Sequence, residues 1–93
     1  MATTKEQLQA LVDDIASICC NASVREDENG PYILAFGFKD THSLELRKAG
    51  EKYVLELWHG QIAEVEEVVE ELTFFSISDA HSKAREWLLK DII

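Results

Sequence analysis

Cysteine and proline are scarce in this sequence. The two cysteines, Cys19 and Cys20, are adjacent, and neighbouring residues do not form an ordinary unstrained disulfide. A disulfide framework is therefore excluded as the source of stability. A single proline and four glycines among 93 residues also argue against a disordered or low-complexity chain. We expect one α+β domain over residues 1–93, stabilised by its hydrophobic core.

Basic residues are also few. Nine lysines and arginines against eighteen aspartates and glutamates give a net charge of −9 at pH 7. Such a chain is repelled by nucleic acid phosphates and by anionic membrane surfaces. We therefore expect no direct nucleic acid binding and no membrane binding. The partner classes that fit this charge are proteins with a basic surface, and cations.

Long apolar runs are missing as well. No stretch reaches the length of a membrane span, and the N-terminus lacks the charged and apolar regions of a signal peptide. The sequence predicts a cytoplasmic protein by default.

The motifs of common catalytic and metal sites are not found. There is no glycine-rich phosphate loop, no CxxC pair, no HExxH and no EF-hand loop. A nucleophile and a base would have to come from the two cysteines and from His42, His59 or His81. His42 and His59 face each other in one register of a hairpin, but two ligands from an uncertain pairing are weak evidence for a metal. We predict no enzyme activity, no cofactor, and no catalytic or metal residues.

What the sequence does contain is a run of three predicted antiparallel strands over residues 31–60. Apolar residues alternate with period two, which places them on one face of a sheet. We pair Phe38 with Leu44 and Phe36 with Leu46. The residues on which the two helices are predicted to pack are Leu34, Phe36, Phe38, Leu44, Leu46, Leu55 and Leu57.

Two helices are predicted at the ends of the chain. Thr3 with Glu6, or Thr4 with Gln7, has capping-box spacing, and an apolar stripe then continues as far as Ala22. A second capping box begins at Ser76 and precedes a stripe that contains Trp87, which we predict to be a core residue. Residues 61–72 fit either a helix or a strand, although the β-formers of 72–75 favour a strand. The predicted fold is therefore an antiparallel meander of three or four strands, with the N-terminal and C-terminal helices packed on one face.

The candidate partner-binding surface consists of acidic residues and of the far face of this sheet, which is the face that points away from the two helices. On that face Ile33, Val54 and Trp58 are predicted beside Glu45, Arg47 and Glu56, and an exposed tryptophan among polar residues is typical of an interface hot spot. A run of glutamates without a basic residue follows. The predicted partner-binding residues are Trp58, Val54, Ile33, Glu56, Glu64, Glu66, Glu67, Glu70 and Glu71. The alternatives are a solvated acidic face that maintains solubility, and a Trp58 that is buried by other parts of the chain.

These features predict a small acidic protein-binding module. Its specific form would be an inhibitor or immunity-type protein that occludes a basic, nucleic-acid-binding surface of its partner, because carboxylates can stand where phosphates would lie. Two alternatives remain. One is a small-ligand-binding domain or minor enzyme that uses cysteine and histidine residues, and the other is a structural homodimer formed through the far face.

Overall fold

The computed structural model describes residues 3–39, 41–59 and 70–92. Its elements in chain order are helix α1 (Thr4–Ile15), a short 3-10 turn (Ala16–Ile18), strands β1 (Asn21–Asp27), β2 (Gly30–Phe36), β3 (Ser43–Ala49), β4 (Lys52–Trp58) and β5 (Glu70–Phe74), and helix α2 (Ile77–Leu89). The strands form one antiparallel sheet in the order β1-β2-β3-β4-β5. In the described part of the chain, no helix is long and apolar enough to cross a membrane.

The α+β class and the meander are confirmed, but the sheet has five strands where three or four were predicted. The additional strand is β1, which pairs with β2 along seven residues from Asn21 to Asp27. The stripe expected to continue α1 to Ala22 is interrupted, because the helix ends at Ile15. Beyond that point the backbone turns to the sheet, where the Cys20 amide donates to the Phe36 carbonyl at 2.8 Å.

Both helices begin at the predicted caps. The Thr3 side chain accepts from the Glu6 amide at 3.1 Å, and the Glu6 carboxylate accepts from the Thr3 amide at 3.3 Å, which completes a capping box. At the second helix, the Ser76 hydroxyl accepts from the Asp79 amide at 3.1 Å. These bonds satisfy amides that have no partner within the helix, so the two starting points follow from local sequence alone.

A single hydrophobic cluster joins the helices to the sheet. It contains Leu8, Leu11, Val12 and Ile15 of α1, Ala80, Ala84, Trp87 and Leu88 of α2, and the strand residues Ile33, Ala35, Leu44, Leu46, Tyr53, Leu55 and Leu57. Ile33 lies opposite Leu46, and Leu46 lies opposite Leu55, so these strand residues share one face of the sheet. We call it the inner face and the opposite one the outer face. Trp87 is 6% exposed, as predicted for a core residue.

The predicted face of β2 is wrong. Phe36 pairs with Ser43 instead of Leu46, so Leu34 and Phe36 lie on the outer face, while Ile33 and Ala35 lie on the inner face. Phe38, expected in the core, is 52% exposed. Both alternating sets of β2 are apolar, so alternation does not discriminate between them. Because α1 contacts β1 and β2, the helix can approach the sheet more closely over Ile33 and Ala35, which together have smaller side chains than Leu34 and Phe36.

Gly37 follows Ile33 and Ala35 on the inner side, and the side chains become smaller in that order. It faces the buried carboxylate of Asp91, just beyond the end of α2. A Cβ atom at Gly37 would overlap that carboxylate. Asp91 is 1% exposed and accepts from the amides of Lys39 and Thr41 at 3.0 and 3.2 Å. It also contacts the Thr41 hydroxyl and Nδ1 of His42. The end of α2 is thus bound to the connection between β2 and β3.

The environment of Asp91 predicts a specific pH dependence of stability. Burial acts to raise the pKa of Asp91, but the hydrogen bonds from Thr41, His42 and Lys39 outweigh burial and lower the pKa from 3.8 to about 2. Because the folded pKa is the lower one, the ionised carboxylate stabilises the fold above about pH 4, and this contribution is lost as the pH falls towards 2. We expect Asp91→Asn to be destabilising at pH 5, with the difference from wild type shrinking by roughly 2 kcal/mol at pH 2.

Urea denaturation of both proteins at pH 5, 4, 3 and 2 measures this difference. Asp13→Asn, at an exposed position of α1, provides the baseline for removing one carboxylate. A free-energy difference between wild type and Asp91→Asn that stays constant across this range would contradict the assigned role of Asp91.

Candidate functional site

The outer face carries the polar residues of the central strands and a smaller apolar group. Its members follow from the register as the residues that alternate with the core, namely Tyr32, Leu34 and Phe36 of β2, Ser43, Glu45 and Arg47 of β3, Val54, Glu56 and Trp58 of β4, and Glu71 and Thr73 of β5. Leu34 and Trp58 are 5% and 7% exposed. The charged residues are half-buried on β3 and β4 and exposed on β5.

Three glutamates form a line across this face. Glu45 of β3 lies directly opposite Glu56 of β4, and Glu56 lies directly opposite Glu71 of β5. We call these three residues the glutamate row. Side chains opposite one another in an antiparallel sheet have Cβ atoms about 5 Å apart, and like charges in that position destabilise the pair. The glutamate row therefore reduces the stability of the isolated fold.

Two residues of the row, Glu45 and Glu56, have raised pKa values, and burial is the main cause in both. Burial raises the pKa of Glu56, the charges of Glu45 and Glu71 raise it further, and Arg47 partly opposes them. Burial also raises the pKa of Glu45, with Arg47 again acting in the opposite direction. In both residues the folded protein disfavours the charged carboxylate. A positive charge near such a carboxylate stabilises its charged form.

Among residues 3–39, 41–59 and 70–92, Arg47 is the cation that reaches the row, but its guanidinium is largely engaged elsewhere. Two of its nitrogens donate to the two carboxylate oxygens of Asp27 at 3.0 and 2.9 Å, and the guanidinium lies 4.5 Å from the centre of the Tyr32 ring. Its Nε atom is 3.7 Å from Glu45. The hydrogen bond from Arg47 is the main cause that lowers the pKa of Asp27. Arg47 thus compensates Asp27 more fully than it compensates the glutamate row.

The structure separates the residues predicted to bind a partner. Ile33 is 0% exposed on the inner face, so its predicted place on the far face is wrong for the same reason as the rest of β2. Val54 and Glu56 lie on the outer face as expected, whereas Trp58 lies there but is buried. Glu71 is exposed on the outer face, and Glu70 is exposed opposite Leu57. Three predicted residues, Glu64, Glu66 and Glu67, lie outside the described residues.

Glu45 was predicted on the far face of the sheet but was not included among the predicted partner-binding residues. It alternates with Leu44 and Leu46 in a clear strand pattern, so its face was predictable. Its position opposite Glu56 depends on the pairing of β3 with β4. A turn at Gly50, which has a φ of 65°, sets that pairing, and the sequence left the length of this turn open.

The cysteines differ in their surroundings. Cys19 is 3% exposed, and its thiol donates to the Ile15 carbonyl at 3.3 Å. Burial raises the pKa of the Cys19 thiol, and the neighbouring Cys20 raises it further. A thiol with a raised pKa is a poor nucleophile at neutral pH. Cys20 is exposed.

A second region with polar side chains lies between the helices. Nε2 of His81 is 2.6 Å from a carboxylate oxygen of Asp14. Both residues line a cleft of about 520 Å³ between α1 and α2, together with Ala10, Leu11, Ile77 and Ser78. This cleft is where the alternative of a ligand-binding domain would place a small molecule.

The burial of Trp58 predicts a large effect on stability. We expect Trp58→Ala to lower the free energy of unfolding by about 3–5 kcal/mol, as for other large aromatic truncations in packed surroundings. The matched control is Phe75→Ala, since Phe75 is 77% exposed and its truncation should change stability by only about 0.5 kcal/mol. Urea denaturation measures both. Equal, small effects would mean that the Trp58 ring is accessible and available as an interface anchor.

The glutamate row predicts an increase in stability when its central charge is removed. Because the pKa of Glu56 is raised in the folded state, its charge costs stability at pH 7, and we expect Glu56→Gln to stabilise the fold by about 0.5 kcal/mol. Glu28→Gln, which removes an exposed charge from the turn between β1 and β2, is the control. Thermal and urea unfolding at low salt measure the effect, and the part of it that comes from the charges of Glu45 and Glu71 should decrease at high salt. A destabilised Glu56→Gln protein would mean that the row is internally compensated.

Comparison of the chain with protein-family models, with curated proteins and with solved structures gives no match.

Proposed function

We propose that this chain is a protein-binding module whose outer face binds a basic segment of a partner protein. The observation that carries the proposal is the glutamate row, in which Glu45, Glu56 and Glu71 stand opposite one another on three adjacent strands. An arrangement that costs the free protein stability is typical of a functional site. A lysine or arginine side chain placed beside Glu56 would remove that cost.

The spacing of the row favours particular partner geometries. Neighbouring strands lie about 4.8 Å apart, so successive carboxylates begin from backbone positions separated by roughly that distance. Side chains three or four residues apart on a helix have Cβ atoms about 5–6 Å apart. A partner helix that crosses the strands can therefore present successive basic residues to successive glutamates.

The apolar residues next to the row supply contact area. Val54 is half-buried and lies beside Glu56 on the same strand. The Tyr32 ring packs against the Arg47 guanidinium. Charges in such a surface mainly raise the rate of association and the specificity, while the apolar contacts slow dissociation. We expect a complex that is sensitive to salt.

The specific form of the proposal is an inhibitor or immunity-type protein that acts in the cytoplasm. Its carboxylates would occupy a basic groove that otherwise holds nucleic acid phosphates. The net charge of −9 supports this form, since it attracts such a groove and repels the nucleic acid itself. A homodimer through the outer face is disfavoured by the same charges, because a two-fold axis would bring two glutamate rows together.

A titration with a basic peptide tests where such a partner binds. The probe is a helix-forming peptide with arginines at every fourth position, added to isotopically labelled protein and followed by amide chemical shifts. We expect the largest shifts at Glu45, Glu56 and Glu71, and we expect binding to weaken at least tenfold between 50 and 300 mM salt, an order-of-magnitude expectation for several screened charge pairs.

Two matched variants make the test specific. Glu45→Gln/Glu56→Gln/Glu71→Gln removes the row, and Glu28→Gln/Glu51→Gln/Glu86→Gln removes the same number of exposed charges elsewhere. The first variant should bind the peptide at least about tenfold more weakly, and the second should bind nearly as wild type does. Equal weakening in the two variants, or chemical shifts spread over all acidic segments, would show attraction to net charge alone and would overturn the proposal.

A further inference from the structure

Two histidines meet at the end of the sheet, on the inner side and away from the glutamate row. His42 directly precedes β3 and His59 directly follows β4, and the pairing of Ser43 with Trp58 brings them together. The centres of their rings are 5.0 Å apart. Trp87 of α2 packs against both rings. The centre of its ring lies 4.6 Å from that of His42 and 5.3 Å from that of His59.

The hydrogen bonds of these rings fix which nitrogen carries the proton. Nδ1 of His42 contacts a carboxylate oxygen of Asp91. It also lies 3.0 Å from the Thr41 hydroxyl, whose own hydrogen is donated to Asp91. Nδ1 of His59 lies 3.0 Å from the Thr41 carbonyl oxygen. A carboxylate and a carbonyl only accept hydrogen bonds, so Nδ1 of each ring must be the donor. In the neutral form of each histidine the lone pair is therefore on Nε2.

We propose that His42 and His59 form a binding site for a divalent transition-metal ion such as Zn²⁺ or Ni²⁺, with each histidine coordinating through Nε2. A metal about 2.1 Å from each Nε2 lies about 3 Å from each ring centre, so two rings that share one metal at a tetrahedral or octahedral angle have centres roughly 5 Å apart. The observed separation of the ring centres is 5.0 Å, with the two ring planes at 73° in an edge-to-face contact, which leaves the rings close enough to share one ion.

The surroundings match those of metal-ligating histidines. Such histidines usually donate the other ring N–H to a carboxylate or a backbone carbonyl, which sets the ring orientation and increases the basicity of the ligand. Asp91 and the Thr41 carbonyl supply one acceptor of each kind. The Asp91 carboxylate is itself held by the amides of Lys39 and Thr41, and Trp87 restricts the rotation of both rings.

The site would leave coordination positions open. In residues 3–39, 41–59 and 70–92 no group of three or more His, Cys, Asp or Glu side chains is arranged to hold a metal, so water or a ligand from outside would complete the shell. The His42 side chain is 18% exposed and His59 is exposed, which gives an ion access. Open positions of this kind are typical of sites that bind or activate a further ligand.

Isothermal titration calorimetry with ZnCl₂ and with NiCl₂ at pH 7.5 tests the site. Cys20→Ser serves as the background protein, because an exposed thiol also binds zinc. We expect one ion per chain in this background, with binding weakened at least about tenfold by His59→Asn. His81→Asn, which changes the histidine beside Asp14, is the control and should bind as the background does.

Nitrogen-15 spectra of the histidine rings supply an independent readout in the same proteins. Before metal is added, His42 and His59 should show protonated Nδ1 and unprotonated Nε2, and Zn²⁺ should shift both Nε2 signals while those of His81 stay in place. His42→Asn is a second ligand variant, and His59→Asn decides the outcome if His42→Asn does not fold. Absence of binding, or binding that His59→Asn leaves unchanged, would overturn the proposal.

Discussion

The register between β2 and β3 is the constraint on which the rest of this structure depends. With Ile33 opposite Leu46 and Ala35 opposite Leu44, the inner face is continuous across the sheet. A shift by one residue would move every side chain of β2 to the other face. The observed register also places Gly37 next to the segment that follows α2. Because Gly37 has no Cβ, the Asp91 carboxylate fits there. The core, the anchoring of α2 and the composition of the outer face all follow from this one alignment.

Two groups of carboxylates show how differently the fold treats the same chemistry. Asp91 is buried and surrounded by donors, so its pKa falls to about 2. Glu56 is half-buried between two other glutamates, and its pKa is raised. The first arrangement stabilises the chain through hydrogen bonds to a charged group. The second costs stability, and this cost is what makes the outer face the place where we propose that a basic partner binds.

Asp91 also connects the fold to the histidine pair. It lies just past the end of α2 and holds His42, while Trp87 of the same helix donates from Nε1 to the Ser43 carbonyl at 2.9 Å. These two contacts fix the start of β3 against the helix. The orientation of His42 is therefore set by tertiary contacts, and His59 is brought to it by the pairing of β3 with β4. The proposed metal site and the proposed partner surface lie on opposite faces of the sheet.

The sequence by itself determined the local elements of this protein. The caps at Thr3 and Ser76, the helical stripe that includes Trp87, and the strand near residues 72–75 each depend on residues close together in the chain, so they were predictable. Which face of β2 is buried was decided only by the tertiary structure, because both alternating sets of that strand are apolar. The alignment of Glu45, Glu56 and Glu71 and the meeting of His42 with His59 were decided in the same way. Each requires the pairing of separate strands, and pairing depends on turn geometry and on packing against the helices rather than on the local sequence pattern.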